Sequence, residues 1–385
     1  MGGRQRLAVL VAAAVGVALI GGAALTIRAY LDAHSSGQAS STASPVASAS
    51  AAPQPAITGP PTVYVHYYLW WTQQHWADKL GPAYPYSTAP IPGSIDAGGC
   101  NPSVAYTGAT IVDVPSEGLY DQTQASTFEH HIDLAAQAGL KGFLADWQGT
   151  GNASQAVSSS GYNARLDLLV KTVDAYNTAH GTSFGLGLAF ASFGNYSRPA
   201  SQVIADLNYF VNRYGSDPAF ANRYSSKPIV MWLDSRKFSP ATIQAVSRAI
   251  EPKAYLLGDE TAASWPNDGR YFDGTSYYWS TQNPWSNARA GSAVADLASQ
   301  VRASGKQWFA PFIAGYNKQL LGGSCVQRKG TTTLDQLWQI NGATRPDGWF
   351  GISWNEFVEN TYLEPSKLYG SMYLDALAKL IKTGR

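Results

Sequence analysis

Short apolar runs alternate with longer segments of helical period from residue 62 to the C-terminus, and this alternation limits the possible folds most strongly. Strands separated by helices form parallel sheets, because each helical crossover returns the chain to the same end of the sheet. Eight strands are predicted, at 63–70, 142–147, 184–190, 228–234, 254–258, 274–278, 308–313 and 350–354. Helices are predicted at 127–138, 164–179, 201–214, 240–250, 292–304, 332–341 and 366–381.

Eight strands with interleaved helices over about 320 residues fit one (β/α)8 barrel with enlarged loops, spanning 62–385. The link at 259–273 is short and contains Pro and Gly, so a helix there is doubtful. An open doubly wound sheet is the alternative. It is disfavoured because no Gly-rich phosphate turn follows the first strand.

The N-terminus carries a second apolar feature. Arg4 and Arg6 precede an uncharged apolar run at 7–27, which Arg28 closes. This run exceeds the usual signal-peptide core of about 7–15 residues and reaches the roughly 20 needed to cross a bilayer. Residues 1–32 are therefore predicted to be a signal-anchor, with a cleaved signal peptide as the alternative. The leading positive charges favour an extracytoplasmic protein, either anchored in the cell membrane by this segment alone or secreted.

Residues 33–61 are rich in Ser, Ala, Pro and Gln and show no apolar periodicity. Such a stretch buries too little apolar surface to offset its ordering entropy, so it is predicted to be a disordered linker. In an oxidising compartment Cys100 and Cys325 are expected to form one disulfide, and two free thiols are the alternative.

Several function classes are disfavoured. A net charge of +1 gives no electrostatic reason to expect a nucleic-acid partner. The sequence has no phosphate-binding loop, no dinucleotide fingerprint and no Cys/His cluster, so no cofactor or metal is expected.

Acidic and aromatic residues follow nearly every predicted strand. Barrel enzymes place their chemistry at these C-terminal strand ends. The residues in question are Tyr68, Trp70, Trp71, Asp146, Trp147, Asp234, Asp259, Glu260, Tyr277, Tyr278, Trp279, Tyr316, Asn317, Asn355, Glu356 and Glu359. Carboxylates among indole and phenol rings are typical of sites that cleave an oligo- or polysaccharide. For a single member such as Asp146 or Asp234, a capping or loop-fixing role is the alternative.

Glu356 and Glu359 are the candidate catalytic pair. If 355–361 turns helically, they lie on one face with Cβ atoms about 5–6 Å apart. Two such carboxyls in a cleft of low dielectric cannot both ionise freely, so one pKa rises and a proton donor stands beside an acceptor. Glycosidic cleavage needs that division of labour. A solvated acidic pair at a helix start is the alternative.

The run WNEFVENTYLEP at 354–365 resembles the Asn-Glu-Trp-x-Glu-Gly-Thr element of glycoside hydrolase family 99, the endo-α-mannosidases and endo-α-mannanases. Related bacterial polysaccharide-biosynthesis proteins carry the same element. Other segments match in the same order: YYLW at 67–70, His130, LADW at 144–147, YGSDPAF at 214–220 with Lys227 and Pro228, and GY at 315–316. The resemblance spans about 63–365. Phe357, Val358 and Asn360 depart from the family's Trp, its following residue and its Gly.

The resemblance implies roles for these residues. Hydrolysis would retain anomeric configuration through a 1,2-anhydro sugar, with Glu356 deprotonating the 2-hydroxyl and Glu359 protonating the leaving oxygen. Tyr68, Trp70, Trp147 and Tyr316 would line the sugar subsites, and Asn355 would position a hydroxyl. No metal is implied.

Three hypotheses follow. The first is an endo-acting retaining hydrolase of α-linked, mannan-like glycans. The second keeps glycoside hydrolysis but moves the chemistry to Asp234 with Asp259, Glu260 or Asp273. The third is a non-catalytic glycan-binding or cell-envelope assembly protein on the same barrel, suggested by the departures at Phe357, Val358 and Asn360.

Overall fold

A computed structural model describes residues 60–85, 100, 106, 108–150, 153–192, 196–222 and 224–384, without the side chains of 153–160. One compact unit comprises Gln54–Ala191 and Ser197–Arg385 and contains the whole barrel. The other, Met1–Pro53 with Ser192–Tyr196, includes only two described residues. The predicted signal-anchor at 1–32 and nearly all of the linker at 33–61 lie outside the described residues. Within the described part, none of the helices has the length and apolar character needed to cross a membrane.

Eight parallel strands close into a barrel, which confirms the predicted (β/α)8 fold. They are β1 (Val63–Tyr68), β2 (Gly142–Trp147), β3 (Gly185–Phe190), β4 (Ile229–Trp232), β5 (Tyr255–Asp259), β6 (Gly274–Ser276), β7 (Gln307–Ile313) and, after a short hairpin of β8 (Tyr316–Asn317) and β9 (Cys325–Val326), β10 (Gly348–Ile352). Each strand pairs with its sequence neighbour in the barrel, and β1 closes the ring by pairing with both β10 and β2.

The barrel interior is filled from alternate strand positions, as the two-residue period of a strand requires. One cluster of buried side chains includes Tyr64 of β1, Leu144 of β2 and Phe350 of β10. Burying each such side chain contributes roughly 1.5–3 kcal/mol. Because Tyr64 and Leu144 face inward, residues two and four positions later on the same strands also face inward. This alternation directs Tyr68 and Asp146 towards the barrel axis at its C-terminal end.

The helices surround the barrel at nearly the predicted places. They are α1 (Gln73–Leu80), α2 (Ala125–Gln137), α3 (Ala153–His180), α4 (Ala200–Tyr214), α5 (Pro240–Ile250), α6 (Trp265–Asp268), α7 (Ala290–Ala303), α8 (Thr332–Gly342) and α9 (Met372–Thr383). The bounds of α5 are those predicted, because Ser239 accepts a hydrogen bond from the Thr242 N–H and Pro240 occupies the first turn. The doubtful link at 259–273 contains only the one-turn α6 and a 3₁₀ turn, Gly269–Tyr271.

Several local elements depart from the sequence prediction. Helix α3 begins at Ala153 instead of 164. The last helix begins at Met372 instead of 366, because Ser366 forms antiparallel bridges with Pro115 and Gly370. The helix α1 and the β8–β9 hairpin were not predicted at all. The predicted disulfide between Cys100 and Cys325 is present, with its Cα atoms 5.8 Å apart, and it anchors strand β9 of that hairpin.

Candidate active site

The segment after β10 forms a compact turn and not the helix expected over 355–361. The Glu356 carboxylate stabilises this turn, because its Oε1 accepts the N–H groups of Val358 (2.7 Å) and Glu359 (3.1 Å). The Ser353 hydroxyl accepts the N–H of Glu356 at 2.9 Å. The two glutamates are thus held together by the fold of the turn rather than by helical periodicity.

The residues that depart from the family pattern have structural roles here. Asn360 has φ of 52°, a left-handed conformation that glycine adopts freely and that asparagine tolerates better than most residues. Phe357 is buried, stacks on Tyr362 with ring centroids 4.3 Å apart, and packs edge-on against Trp71. Val358 packs against the same cluster. The substitutions therefore preserve the backbone and core of the turn.

Glu356 and Glu359 form one electrostatic unit with Lys318. Burial raises the pKa of Glu356 to about 8, and the charge of Glu359 adds to the rise, while Lys318 opposes it. Lys318 donates to Glu359, with Nζ 2.8 Å from Oε1. Burial alone would lower the pKa of Lys318, but the charge of Glu359 and its hydrogen bond raise it above its usual value. At neutral pH Glu356 therefore holds a proton beside an ion-paired carboxylate.

Lys318 reaches the pair because the hairpin is joined to the turn. The Asn317 N–H donates to the Glu359 carbonyl at 2.8 Å, and the Asn360 side-chain amide donates to the Asn317 carbonyl at 2.8 Å. Lys318 follows directly. Sequence reasoning missed this lysine, because strands of two residues leave no periodic signal.

Tyrosine side chains surround the pair. The hydroxyls of Tyr68 and Tyr278 are 2.5 Å apart, and Trp70 stacks on Tyr68 with centroids 4.5 Å apart. Burial raises the pKa of Tyr68, Tyr278 and Tyr316, and the charges of both glutamates raise each of them further. These phenols therefore stay protonated and can donate hydrogen bonds. Of the predicted site residues, the structure brings together Tyr68, Trp70, Tyr316, Glu356 and Glu359, and it adds Tyr278.

Asp146 joins this group from β2. Its Cα is paired with that of Tyr68, so the two side chains leave neighbouring strands on the same face. It is 1% exposed, and neither carboxyl oxygen accepts a hydrogen bond from any described residue. Burial raises its pKa well above the usual range, and the charge of Glu356 adds to this.

The structure does not bring Trp147 to the group. Strand alternation turns its indole outward, where it is fully buried, packs against Tyr209 and Phe210 of α4, and donates to Asn163 at 2.8 Å. A sugar-binding role for Trp147 is not compatible with this burial between strand and helix.

The side-chain amide of Asn355 is hydrogen-bonded to the backbone of Tyr68. Its Oδ1 accepts the Tyr68 N–H at 2.8 Å, and its Nδ2 donates to the Tyr68 carbonyl at 3.0 Å. Asn355 is fully buried, so it fastens the end of β1 to the turn that carries Glu356 and Glu359. Its predicted role of holding a substrate hydroxyl is replaced by one of positioning Tyr68.

The acidic side chains that follow the middle strands form ion pairs and hydrogen bonds with the neighbouring loops of the barrel. Asp259 is ion-paired with Arg236 at 2.8 Å and accepts the backbone N–H groups of Asp234 and Tyr278. Asp234 contacts Arg236 at 3.0 Å. The remaining two are also engaged: Glu260 accepts from the Ser235 hydroxyl and Asp273 from the Leu256 N–H. Asp259 thereby helps to place Tyr278.

One group in the described part of the chain has metal-ligand chemistry: Glu117, His131 and Glu364, with donor atoms all within 4.8 Å. His131 Nε2 lies 2.8 Å from Glu117 and 3.5 Å from Glu364, and Nδ1 lies 2.7 Å from the Tyr67 hydroxyl. Burial lowers the pKa of His131, but the charges of Glu364 and Glu117 outweigh it and raise the value to about 9. The cation of this cluster is therefore the imidazolium of His131, which ties α2 to the segment after the turn at 357–360.

The fold is similar to that of a family 99 endo-α-mannosidase from Bacteroides thetaiotaomicron. Its complex with BIS-TRIS-propane gives a TM-score of 0.63 at 17% identity, covering 84% of this chain and 97% of that one. Another structure of this endo-α-mannosidase gives 0.62 at 17% identity, with 83% and 96% covered. A structure described as a glycoside hydrolase-like protein gives 0.56 at 15% identity, with 85% and 96% covered. The sequence itself matches no family model and no curated protein. The fold likeness confirms the (β/α)8 barrel.

Proposed function

We propose that this protein is an endo-acting, retaining glycoside hydrolase that cleaves α-linked, mannan-like glycans through Glu356 and Glu359. The carrying observation is a buried carboxyl pair with unequal environments: Glu356 has a pKa of about 8, and Glu359 is ion-paired with Lys318. Such a pair can supply an acid and a base at the same pH.

The proposed reaction begins with the proton of the pair. Coupled carboxyls share a proton, so it can move from Glu356 to Glu359 when substrate binds. The Glu356 carboxylate then takes the proton of the substrate 2-hydroxyl, and O2 attacks C1. The bond from C1 to the leaving oxygen breaks as Glu359 protonates that oxygen. A pKa near the working pH suits Glu356 to this step, because it makes the ionised group a stronger base than an ordinary carboxylate.

The second half of the reaction hydrolyses the 1,2-anhydro sugar and restores the protonation that both glutamates had before O2 attacked C1. Glu359, now ionised, deprotonates a water that attacks C1 of the 1,2-anhydro sugar. The bond from C1 to O2 breaks, and Glu356 returns the proton to O2. Two inversions at C1 give net retention. Tyr68, Trp70 and Tyr316 line the sugar subsites in this proposal, with Tyr278 added through its contact with Tyr68.

Removing either glutamate tests the proposal. Glu356→Gln and Glu359→Gln are each expected to lower the turnover of α-mannan at least about 100-fold, since a general acid or base contributes roughly 10²–10⁴ in rate. Circular dichroism should show a folded barrel. Glu129→Gln, an exposed position on α2, is the matched control and should keep full activity. Full activity of either active-site variant would refute the assignment. Loss of activity in Asp234→Asn alone would select the middle-strand acids instead.

The residues that suggested the non-catalytic alternative have structural roles in the turn. Phe357, Val358 and Asn360 suggested a decayed site, yet these residues support the turn that holds both glutamates. Glycan binding in calorimetry without any release of reducing ends would favour that alternative.

We also propose that residues 1–32 anchor or export the chain, that 33–61 form the linker, and that 62–385 are the catalytic domain outside the cytoplasm. The Cys100–Cys325 disulfide supports an oxidising compartment. Fractionation of expressing cells tests this, because a cytosolic protein with reduced cysteines would contradict it.

A further inference from the structure

Asp146 is the one acid of the described active-site group whose carboxyl oxygens have no hydrogen-bond partner. Glu356 accepts two backbone N–H groups, and Glu359 accepts from Lys318. Both oxygens of Asp146 are buried, and none of the described residues donates a hydrogen bond to them. Leaving a buried carboxyl without a donor is costly, so such a group in a site points to a ligand that supplies the donor.

The charges of the group identify the kind of donor. Asp146, Glu356 and Glu359 are three acids, and Lys318 is the cation in contact with the pair. No described cation offsets the effect of burial and of Glu356 on Asp146. A positive ligand group beside Asp146 would favour its ionised form, which burial and the charge of Glu356 disfavour, whereas a neutral hydroxyl would favour that form much less.

The rings near Asp146 also suit a cation. Its charge acts on the phenols of Tyr68, Tyr162 and Tyr278. Tyrosine faces attract ammonium groups through the ring quadrupole, and the attraction increases when water is excluded. The Arg165 guanidinium already lies over the ring of Tyr162, with its carbon 4.9 Å from the centroid. The rings of Tyr68 and Tyr278 therefore remain to attract an ammonium group held by Asp146.

We propose that Asp146 binds the protonated amino group of an amino sugar, so that the glycan recognised at this site contains hexosamine units with free amines. This inference rests on the proposed function, because the ligand is a glycan bound at the same carboxylates. The amine lies on the adjoining sugar, or on a carbon other than C2 of the attacked sugar, since C2 there carries the reacting hydroxyl.

The test compares two ligands that differ in charge. An α-linked galactosamine oligosaccharide and its fully N-acetylated form are titrated into the full-length protein by calorimetry. Neither has a 2-hydroxyl, so the proposed mechanism cannot cleave them during the titration. We expect the free amine to bind at least about 10-fold more tightly, as charge-assisted hydrogen bonds do.

Asp146→Asn is expected to abolish this preference while leaving the affinity for the N-acetylated ligand within about twofold, because only the charge of the side chain changes. Asp296→Asn, an exposed position on α7, is the matched control and should keep the preference. A preference that survives in Asp146→Asn would assign it to the size of the acetyl group and overturn the inference. Equal affinities in the wild type would overturn it without any variant.

Hydrolysis of α-mannan, measured in parallel, separates this inference from the proposed function. If the Asp146-dependent preference is present and no glycan is cleaved, the amino-sugar site stands and the proposed hydrolase fails. If α-mannan is cleaved and the preference is absent, the hydrolase stands and the amino-sugar site fails.

Discussion

At the scale of single residues, Glu356 combines two functions. Its Oε1 accepts the N–H groups of Val358 and Glu359 and so shapes the turn, while its proton affinity is set by burial and by Glu359. The positive charge of Lys318 lies close enough to lower the pKa of Glu356. Lys318 therefore acts on the proton of Glu356 through its charge and through its ion pair with Glu359.

The pH dependence of kcat/KM should report the proton that Glu356 and Glu359 share. The proposed reaction needs one proton on the pair, and burial raises the pKa of Glu356 to about 8. Activity should therefore fall as pH rises through about 8. Since Lys318 lowers the pKa of Glu356, Lys318→Met should move this alkaline limb to higher pH, and Lys318→Arg should return it towards the wild-type position. An alkaline limb that stays in place in Lys318→Met would show that the lysine has only a structural role.

The sequence predicted the positions of some site residues better than those of others. The motif around Glu356 and Glu359 predicted that the two acids lie together, since both follow a strand and belong to one element. Asp146 and Trp147 were both assigned to the rim, because adjacent strand residues face opposite sides and sequence alone does not say which side is the interior. The inward position of Leu144 settles that choice for Asp146.

At the scale of elements, the turn at 357–360 is fixed by backbone conformation and by the neighbouring hairpin. Asn360 has φ of 52° and donates to the Asn317 carbonyl. Asn360→Gly should keep the turn and most activity. Asn360→Val should lower the free energy of unfolding by about 1–3 kcal/mol, because a β-branched residue is strained at positive φ. Urea denaturation of both variants checks this, and equal stability would mean that the turn does not need this conformation.

The β8–β9 hairpin depends on the disulfide as well. Cys325 in β9 is bonded to Cys100 across 225 residues of sequence. Replacing both cysteines by Ser should lower the free energy of unfolding by about 2–5 kcal/mol, because the denatured chain regains the freedom of that loop. Guanidinium denaturation provides the measurement, and reduced wild-type protein should match the double variant. An unchanged midpoint would show that the hairpin is held without the bond.

The elements themselves were predictable where apolar periodicity is long. The barrel strands are buried along nearly their whole length, so continuous apolar runs marked β2 and β7 to within one residue. The hairpin and α1 were missed because two-residue strands and an eight-residue helix carry little periodic signal. The start of α9 was misplaced because a long-range bridge between Ser366 and Pro115 competes with helix formation.

At the scale of the whole molecule, the barrel places residues from distant parts of the sequence at one end. Tyr68 leaves β1, Asp146 leaves β2, and the glutamates follow β10, which pairs with β1. The ion pair of His131 with Glu364 links α2 to the segment that follows the turn at 357–360. The rule for barrel strands predicts that Tyr68, Asp146, Glu356 and Glu359 share one rim. It could not supply the pairing of Lys318 with Glu359 or the unpartnered state of Asp146, which depend on side-chain directions across the closed ring.

The most direct test of the central claim is the anomeric configuration of the product. The full-length protein is incubated with α-mannan, and the first reducing ends released are followed by proton NMR before mutarotation. The account predicts new reducing ends in the α configuration, and their loss in Glu356→Gln and Glu359→Gln. Release of β-configured ends, or release that continues unchanged in both variants, would contradict it.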